Sequence, residues 1–159
     1  MLTTEKRQEL IGQIRQLPQS LADLVGKLSD EQLDTPYGEG KWTIRQVVHH
    51  LADSHCNGLA RFRWVLTEEY PTLKPYDQDR WARLVDARTL PLEPSLAILR
   101  GLHERWVILL ESLSEDSWFR KGNHPEEGDV SIEDLLVAYA NHGIKHLGHI
   151  NGLLEVRGW

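Results

Sequence analysis

Residues 131–154 read SIEDLLVAYANHGIKHLGHINGLL and carry the strongest helical pattern in the chain. Ser131, followed by Glu133 and Asp134, comes close to a capping box, which predicts that a helix begins here. Apolar residues then recur three and four positions apart and form one stripe: Leu135, Leu136, Tyr139, Leu147, Ile150, Leu153 and Leu154. His142 and His146 lie in the middle of this stripe, so we expect both side chains to point into the core of a helical bundle.

Three further amphipathic segments precede this helix. The first runs from about Thr4 to Leu28, where Pro18 is expected to kink or split the helix. The second begins near Thr43, a suitable N-cap, and continues to Leu66. The third runs from Pro94 to Leu113, with its proline in the first turn. Together the four segments predict an all-α, antiparallel up-down-up-down four-helix bundle that forms a single domain over residues 1–159.

The connections between these helices differ in character. Residues 34–40 are dense in turn-forming types and predict a loop. Residues 70–94 form a long connection with apolar side chains, in which we expect a short helical turn at 80–85. A connection of this length is expected to serve as a lid, a site wall or an interface segment. Before the last helix, residues 118–119 and 130–132 could pair as a small hairpin.

Composition excludes several classes of protein. With 18 Lys and Arg against 24 Asp and Glu, the chain has a formal net charge of −6, which disfavours a nucleic-acid partner. No apolar run is long enough for a transmembrane helix, and the first residues lack the organisation of a signal peptide. Cys56 is the only cysteine, which fits a reducing environment. We therefore expect a cytoplasmic protein.

The His142–His146 spacing is one that helices use to hold a transition metal. Side chains four residues apart lie on the same helix face, as in the H-E-x-x-H zinc sites. Here Gly143 occupies the position of the glutamate that a protease of that type requires. The pair therefore indicates a metal without indicating proteolysis, and two core histidines satisfied by hydrogen bonds remain the alternative.

A third ligand would have to come from another helix, and residues 47–55 (VVHHLADSH) hold the other dense histidine cluster. Helical periodicity favours His55, which lies nearest the apolar centre of its helix, and directs His49 largely away. His50 lies on the flank of that centre, with Asp53 three residues further on as a carboxylate that could orient the ring or a metal-bound water. The residues alone leave both choices open.

Several strings resemble the YfiT-like branch of the DinB-like superfamily. They are LDTPY at 33–37, KWTIRQVVHHLADSH at 41–55, KPY at 74–76, LHERW at 102–106 and the segment 139–150. The resemblance covers nearly the whole chain. It implies a four-helix bundle in which His50, His142 and His146 hold one divalent metal, Ni²⁺ or Zn²⁺, and it thereby prefers His50 to His55. The run between the paired ligands, Gly143 to Lys145, departs from the histidine-richer run of the family.

The resemblance also implies an enzyme. Members are regarded as metal-dependent hydrolases, relatives act as bacillithiol S-transferases, and the wider superfamily includes mycothiol-dependent enzymes. Three neutral imidazoles leave the metal charge uncompensated, so a bound water or thiol would lose its proton readily. We expect thiol transfer, because no glutamate base accompanies the histidine pair, with metal-dependent hydrolysis as the alternative. A non-catalytic metal-binding stress-response module is the alternative from another class.

These expectations extend to further residues and to partners. Asp53 and His149 are the expected catalytic residues, whereas His103 is expected at the surface or in packing. The expected partners are a small-molecule thiol and an electrophile, or a small hydrolysable substrate. A homodimer is also expected from the resemblance.

Overall fold

The structure is a computed structural model that describes residues 1–159. It is built of helices with one small hairpin, in the order α1 Thr4–Val25, α2 Asp30–Leu33, α3 Ile44–Thr67, α4 Gln78–Trp81, α5 Val85–Thr89, α6 Glu93–Glu111, a 3-10 turn Glu115–Phe119, β1 Lys121–His124, β2 Gly128–Ser131 and α7 Ile132–Arg157. None of the helices combines the length and apolarity that a membrane span requires.

The four long helices form the bundle. Helix α1 packs against α6 and α7, and α3 packs against the same two helices. The consecutive helices α1 and α3 therefore lie at opposite corners of the bundle, as do α6 and α7. This arrangement places one face of α3 directly against α7, where the histidines of both helices lie.

The two halves of the core give the direction of each helix. One half joins the beginnings of α1 and α7 to the ends of α3 and α6, and the other half joins the opposite ends. Helices α1 and α7 thus run parallel, and α3 and α6 run parallel in the other direction. The expected all-α four-helix bundle is confirmed, but its helix order is up-down-down-up instead of up-down-up-down.

The connection between α3 and α6 explains this difference. It returns along the outside of α3 to the end where α3 began, so that α6 starts there again. Two side chains from the first turn of α3 fasten it: Gln46 Nε2 donates to the Ala82 carbonyl at 2.7 Å, and Arg45 Nη1 donates to the Leu90 carbonyl at 3.0 Å. The connection is long enough to run back along the whole length of α3. Helix α6 therefore starts at the same end of the bundle as α3 and runs parallel to it.

The predicted helix starts are confirmed. The Thr43 hydroxyl accepts from the Gln46 backbone N–H, and the Ser131 hydroxyl accepts from that of Asp134. In both cases the side chain three residues after the cap accepts from the backbone N–H of the cap residue, which completes a capping box. These two caps fix where the two histidine-bearing helices begin.

Three local predictions need correction. Helix α1 ends at Val25 and not at Leu28, and of the two effects expected of Pro18, a kink or a split, the split does not occur. The connection forms two short helices, α4 and α5, in place of one turn at 80–85. Residues 118–119 lie in the 3-10 turn, and the hairpin instead pairs β1 with β2, so that Gly122 lies opposite Val130. Only a glycine fits at position 122, because a Cβ there would lie 2.8 Å from the Pro71 carbonyl oxygen.

Two glycines mark close approaches between long helices. A Cβ on Gly58 of α3 would lie 2.6 Å from the Trp106 ring and 2.7 Å from the Tyr139 ring. A Cβ on Gly143 of α7 would lie 2.8 Å from Leu17 Cδ2 on α1. The missing side chains let the helices approach around the histidine cluster.

Candidate metal centre

Three histidines from two helices converge between α3 and α7. His50 comes from α3, and His142 and His146 come from successive turns of α7. Each offers one ring nitrogen, and these nitrogens all lie within 4.8 Å of one another. His50 Nε2 and His142 Nε2 are 3.0 Å apart, close to the roughly 3.3 Å expected for two imidazoles on one tetrahedral ion. The three residues expected as ligands are thus brought together.

Burial keeps these three rings neutral. Desolvation, with a smaller contribution from neighbouring positive charge, lowers the pKa of His50, His142 and His146 to about 3 in each case. At neutral pH each ring therefore keeps a lone pair on one nitrogen, as a metal ligand must.

The donor set fits a transition metal better than a hard cation. Imidazole nitrogens suit zinc, nickel, copper and iron, whereas calcium and magnesium prefer oxygen. His146 Nδ1 is also buried without a hydrogen-bond partner. A buried polar atom without a partner destabilises the folded protein. A metal bound to one nitrogen of the ring would offset part of this cost.

The indole ring of Trp42 forms a wall on one side of the cluster. The Trp42 ring lies 4.6 Å from the ring of His50 and 6.3 Å from that of His146, parallel to the latter. Trp42 Nε1 donates to Asp79 Oδ1 at 3.1 Å, which holds the indole in place. The tryptophan next to the Thr43 cap was the only sequence signal for this wall, and its role could not be read from periodicity.

The two expected catalytic residues lie near the cluster in different ways. Asp53 is half-buried one turn after His50, and its carboxylate makes no hydrogen bond to the three histidines. His149 stacks on Tyr37 with ring centroids 4.5 Å apart and lies edge-on to His146 at 5.3 Å. His149 Nδ1 is buried without a partner.

Besides the trio, His49, His55 and His103 are also buried among the long helices. His49 points away from the trio, as expected, and its ring is buried: Nδ1 lies 2.7 Å from Ser95 Oγ, and Nε2 lies 3.2 Å from the Leu90 carbonyl oxygen. Of the two places expected for His103, the surface or the packed interior, the structure shows the second, because the side chain is 2% exposed. His55, which periodicity preferred as a ligand, lies behind the cluster and contacts His142 at 3.2 Å. The connection after α3 and the pairing of α1 with α6 bury these rings, and neither is visible in local sequence.

A cavity of about 380 Å³ opens beside His142. Arg61 and Tyr139 form part of its wall, and Arg61 Nη1 donates to the Tyr139 hydroxyl oxygen at 3.0 Å. Burial raises the pKa of Tyr139, so the phenol stays protonated at neutral pH and can donate a hydrogen bond. The remaining polar lining consists of Ser54, Tyr76, Gln78, His124, Glu126, Glu127, Asp129 and Asp134. The cavity thus offers a cation and a phenol next to a neutral imidazole.

The chain has close relatives among known proteins. A protein from Oceanobacillus iheyensis is 47% identical over 151 residues, which cover 95% of this chain and 87% of the relative. A protein from Geobacillus kaustophilus is 47% identical over 154 residues, covering 96% and 86%. The names of both propose metal-dependent hydrolase activity. These relatives and the histidine trio support a divalent metal and a metal-dependent enzyme.

A solved structure and a family model match as well. YfiT from Bacillus subtilis, described as a four-helix bundle of unusual topology and proposed to be a metal-dependent hydrolase, superimposes with a TM-score of 0.97 at 41% identity, covering 100% of this chain and 91% of YfiT. The model of the DinB superfamily matches residues 13–150. The chain therefore belongs to the DinB superfamily.

Proposed function

We propose that this protein is a metal-dependent thiol S-transferase, in which His50, His142 and His146 hold one Ni²⁺ or Zn²⁺ ion. The observation that carries the proposal is the convergence of three neutral imidazoles within 4.8 Å of one another, one of which, His142, lines a cavity. When bound, the metal supplies Lewis acidity that lowers the pKa of a thiol or water on it. Thiol transfer is favoured because no carboxylate is hydrogen-bonded to the trio to serve as a base.

The side chains of the cavity then bind and orient the substrates. The Arg61 guanidinium is held by the Lys74 carbonyl at 2.8 Å and by Tyr139, so its charge is fixed where a carboxylate of a bacillithiol-type thiol would enter. The Tyr139 hydroxyl can donate to an oxygen of the electrophile. The Trp42 ring packs against His50 and His146, neither of which lines the cavity.

A metal-dependent hydrolase is the second candidate, favoured by the names of the relatives. In that case Asp53 or His149 would take the proton from the attacking water, and the substrate would be a small ester or amide. We propose both residues as the catalytic candidates, since each lies within one turn of a proposed ligand.

Metal analysis tests the proposed site. The purified protein is expected to hold about one metal ion per chain, and His50→Ala, His142→Ala and His146→Ala should each lose most of it. His49→Ala is the matched control, because His49 is a buried neighbour of His50 whose ring nitrogens bond to Ser95 and Leu90 instead. Full occupancy in all three ligand variants would overturn the site.

A paired activity assay separates the two functions. The metal-loaded protein is offered bacillithiol, cysteine and coenzyme A with monochlorobimane, and separately a panel of esters and amides. We expect thiol conjugation that disappears with the metal and falls in Arg61→Gln. Metal-dependent hydrolysis without conjugation would show that the second candidate, the hydrolase, is the right function.

Sedimentation of the loaded protein tests the homodimer that we also propose from the family resemblance.

A further inference from the structure

A chain of ring contacts leads from the trio through the interior of the bundle. His142 Nδ1 lies 3.2 Å from His55 Nε2, and His55 Nδ1 lies 2.9 Å from His103 Nε2. His103 Nδ1 lies 2.6 Å from the backbone carbonyl oxygen of Ile14. The chain starts on α7, passes through α3 and α6, and ends on α1, so it crosses all four helices.

The contact between His103 and the Ile14 carbonyl determines which ring nitrogen carries the proton in His103, His55 and His142. A carbonyl oxygen can only accept, so His103 Nδ1 carries the proton and donates it. The rings of His55 and His103 are 0% and 2% exposed, and their partners are other histidines and a carbonyl with no carboxylate among them, so each ring is neutral and carries one N–H. His103 Nε2 therefore accepts from His55 Nδ1–H, and His55 Nε2 accepts from His142 Nδ1–H. What remains on His142 is a lone pair at Nε2, the atom that faces His50 at 3.0 Å.

The sequence explains why the Ile14 carbonyl is available. In an α-helix this oxygen would accept the N–H of the residue four positions later. That residue is Pro18, which has no N–H. The proline inside α1 thus leaves one buried carbonyl without a helical partner, and His103 donates to it.

We propose that His55 and His103 are positioning residues, which fix the His142 ring and its Nδ1–H tautomer through the Ile14 carbonyl so that Nε2 is the metal-binding atom. This inference rests on the proposed function, because it takes His142 as a ligand. Hydrogen-bond partners on the far nitrogen of a ligating histidine orient the ring and increase its basicity. Here the partner is another histidine, itself held by a third.

A purely structural role for the two rings predicts a different outcome. If His55 only filled space, an apolar ring of similar size would replace it without changing the tautomer of His142. If it orients His142, a side chain that can both accept and donate along the chain should replace it. His55→Phe and His55→Gln separate these cases, since the glutamine amide supplies an acceptor oxygen for His142 and a donor for His103.

The test measures Zn²⁺ affinity by chelator competition and reads the His142 tautomer from ¹⁵N ring shifts of the zinc-loaded and metal-free protein. In the wild type we expect the proton on His142 Nδ1. His55→Phe should bind Zn²⁺ about 10- to 100-fold more weakly and populate both tautomers of metal-free His142, and His55→Gln should recover most of the affinity. His49→Phe, a buried ring on the same helix outside the chain, should keep wild-type affinity.

The outcomes keep the two proposals apart. Wild-type zinc affinity in His55→Phe, or a proton on His142 Nε2 in the wild type, would overturn the positioning role while leaving the metal site intact. Absence of zinc binding in the wild type would instead overturn the metal site itself. Should His55→Phe fail to fold, the ¹⁵N shifts of His142, His55 and His103 in the wild type decide alone.

Discussion

Asp53 lies one turn after His50 in α3, and its carboxyl group is in an unfavourable place for a charge. Burial, with a smaller contribution from Asp86, raises the pKa of Asp53 to about 6. Above about pH 6 the carboxyl group is ionised in the folded protein although its buried surroundings disfavour the charge, and this destabilises the fold. Such a cost is common at functional sites, where a group is kept for its chemistry in spite of its effect on stability.

We expect Asp53→Asn to be more stable than the wild type at pH 7 and less active. The folded pKa lies above the usual 3.8, so the destabilisation is present above about pH 6, shrinks between pH 6 and 4, and is absent below. Urea unfolding of the metal-free protein should show a gain of roughly 1–2 kcal/mol at pH 7 and almost none at pH 4.

Asp116→Asn, at an exposed position, serves as the control and should change neither stability nor activity. A variant at Asp53 that gains stability and keeps full activity would remove Asp53 from the proposed chemistry.

At the scale of elements, α3 approaches both α6 and α7 through Gly58. The glycine lies between the rings of Trp106 and Tyr139, and both rings also lie beside His55. Any side chain at position 58 would displace these two rings, which pack against His55. Tyr139 also lines the cavity. The close contact of α3 with its neighbours thus depends on one missing methyl group.

Gly58→Ala is expected to lower the free energy of unfolding by about 1–3 kcal/mol, because the new methyl group overpacks the core. The matched control is Gly101→Ala in α6, where an added Cβ meets no atom within 4 Å. That change should stabilise the protein by up to about 1 kcal/mol, since alanine favours the helix. Chemical unfolding of both variants gives the comparison, and equal effects would refute the packing explanation.

The elements also show which parts of the fold local sequence can predict. The starts of α3 and α7 follow from Thr43 and Ser131, because capping is decided within four residues. His50 and His55 both lie on the buried arc of α3, and periodicity could not rank them because that arc faces α6 and α7 at once. His103 meets Ile14 only because α6 packs against α1, a pairing that no local pattern specifies.

For the molecule as a whole, the up-down-down-up order brings the histidines into one layer. Running α3 against α7 in opposite directions sets His50 beside His142 and His146, and running α3 parallel to α6 sets His55 beside His103. Periodicity predicted the four long helices, and the family resemblance predicted that His50, His142 and His146 come together. The order of the helices depends on the path of the connection after α3, which is a long-range property.

This layer of neutral histidines makes the whole fold sensitive to acid. The pKa of each ring of the trio lies near 3 in the folded protein and near 6.5 in the unfolded chain, so only the unfolded chain takes up protons between these values. The stability of the metal-free protein should be full above about pH 6.5 and fall as the pH drops below it.

At pH 5 we expect a loss on the order of 2 kcal/mol for each ring relative to pH 7, measured by urea unfolding in the presence of a chelator. The triple variant His50→Gln, His142→Gln, His146→Gln provides the comparison and should show a shallower decline. A flat profile for the wild type between pH 7 and 5 would contradict the burial of neutral rings.

Gly143 occupies the position that proteases of the H-E-x-x-H type give to their glutamate. That side of α7 faces Leu17 of α1, where even a methyl group would lie 2.8 Å from a leucine carbon. A carboxylate introduced there would push apart the parallel helices α1 and α7. A base for peptide hydrolysis at this histidine pair would therefore have to come from another helix, and α3 already faces the pair through His50.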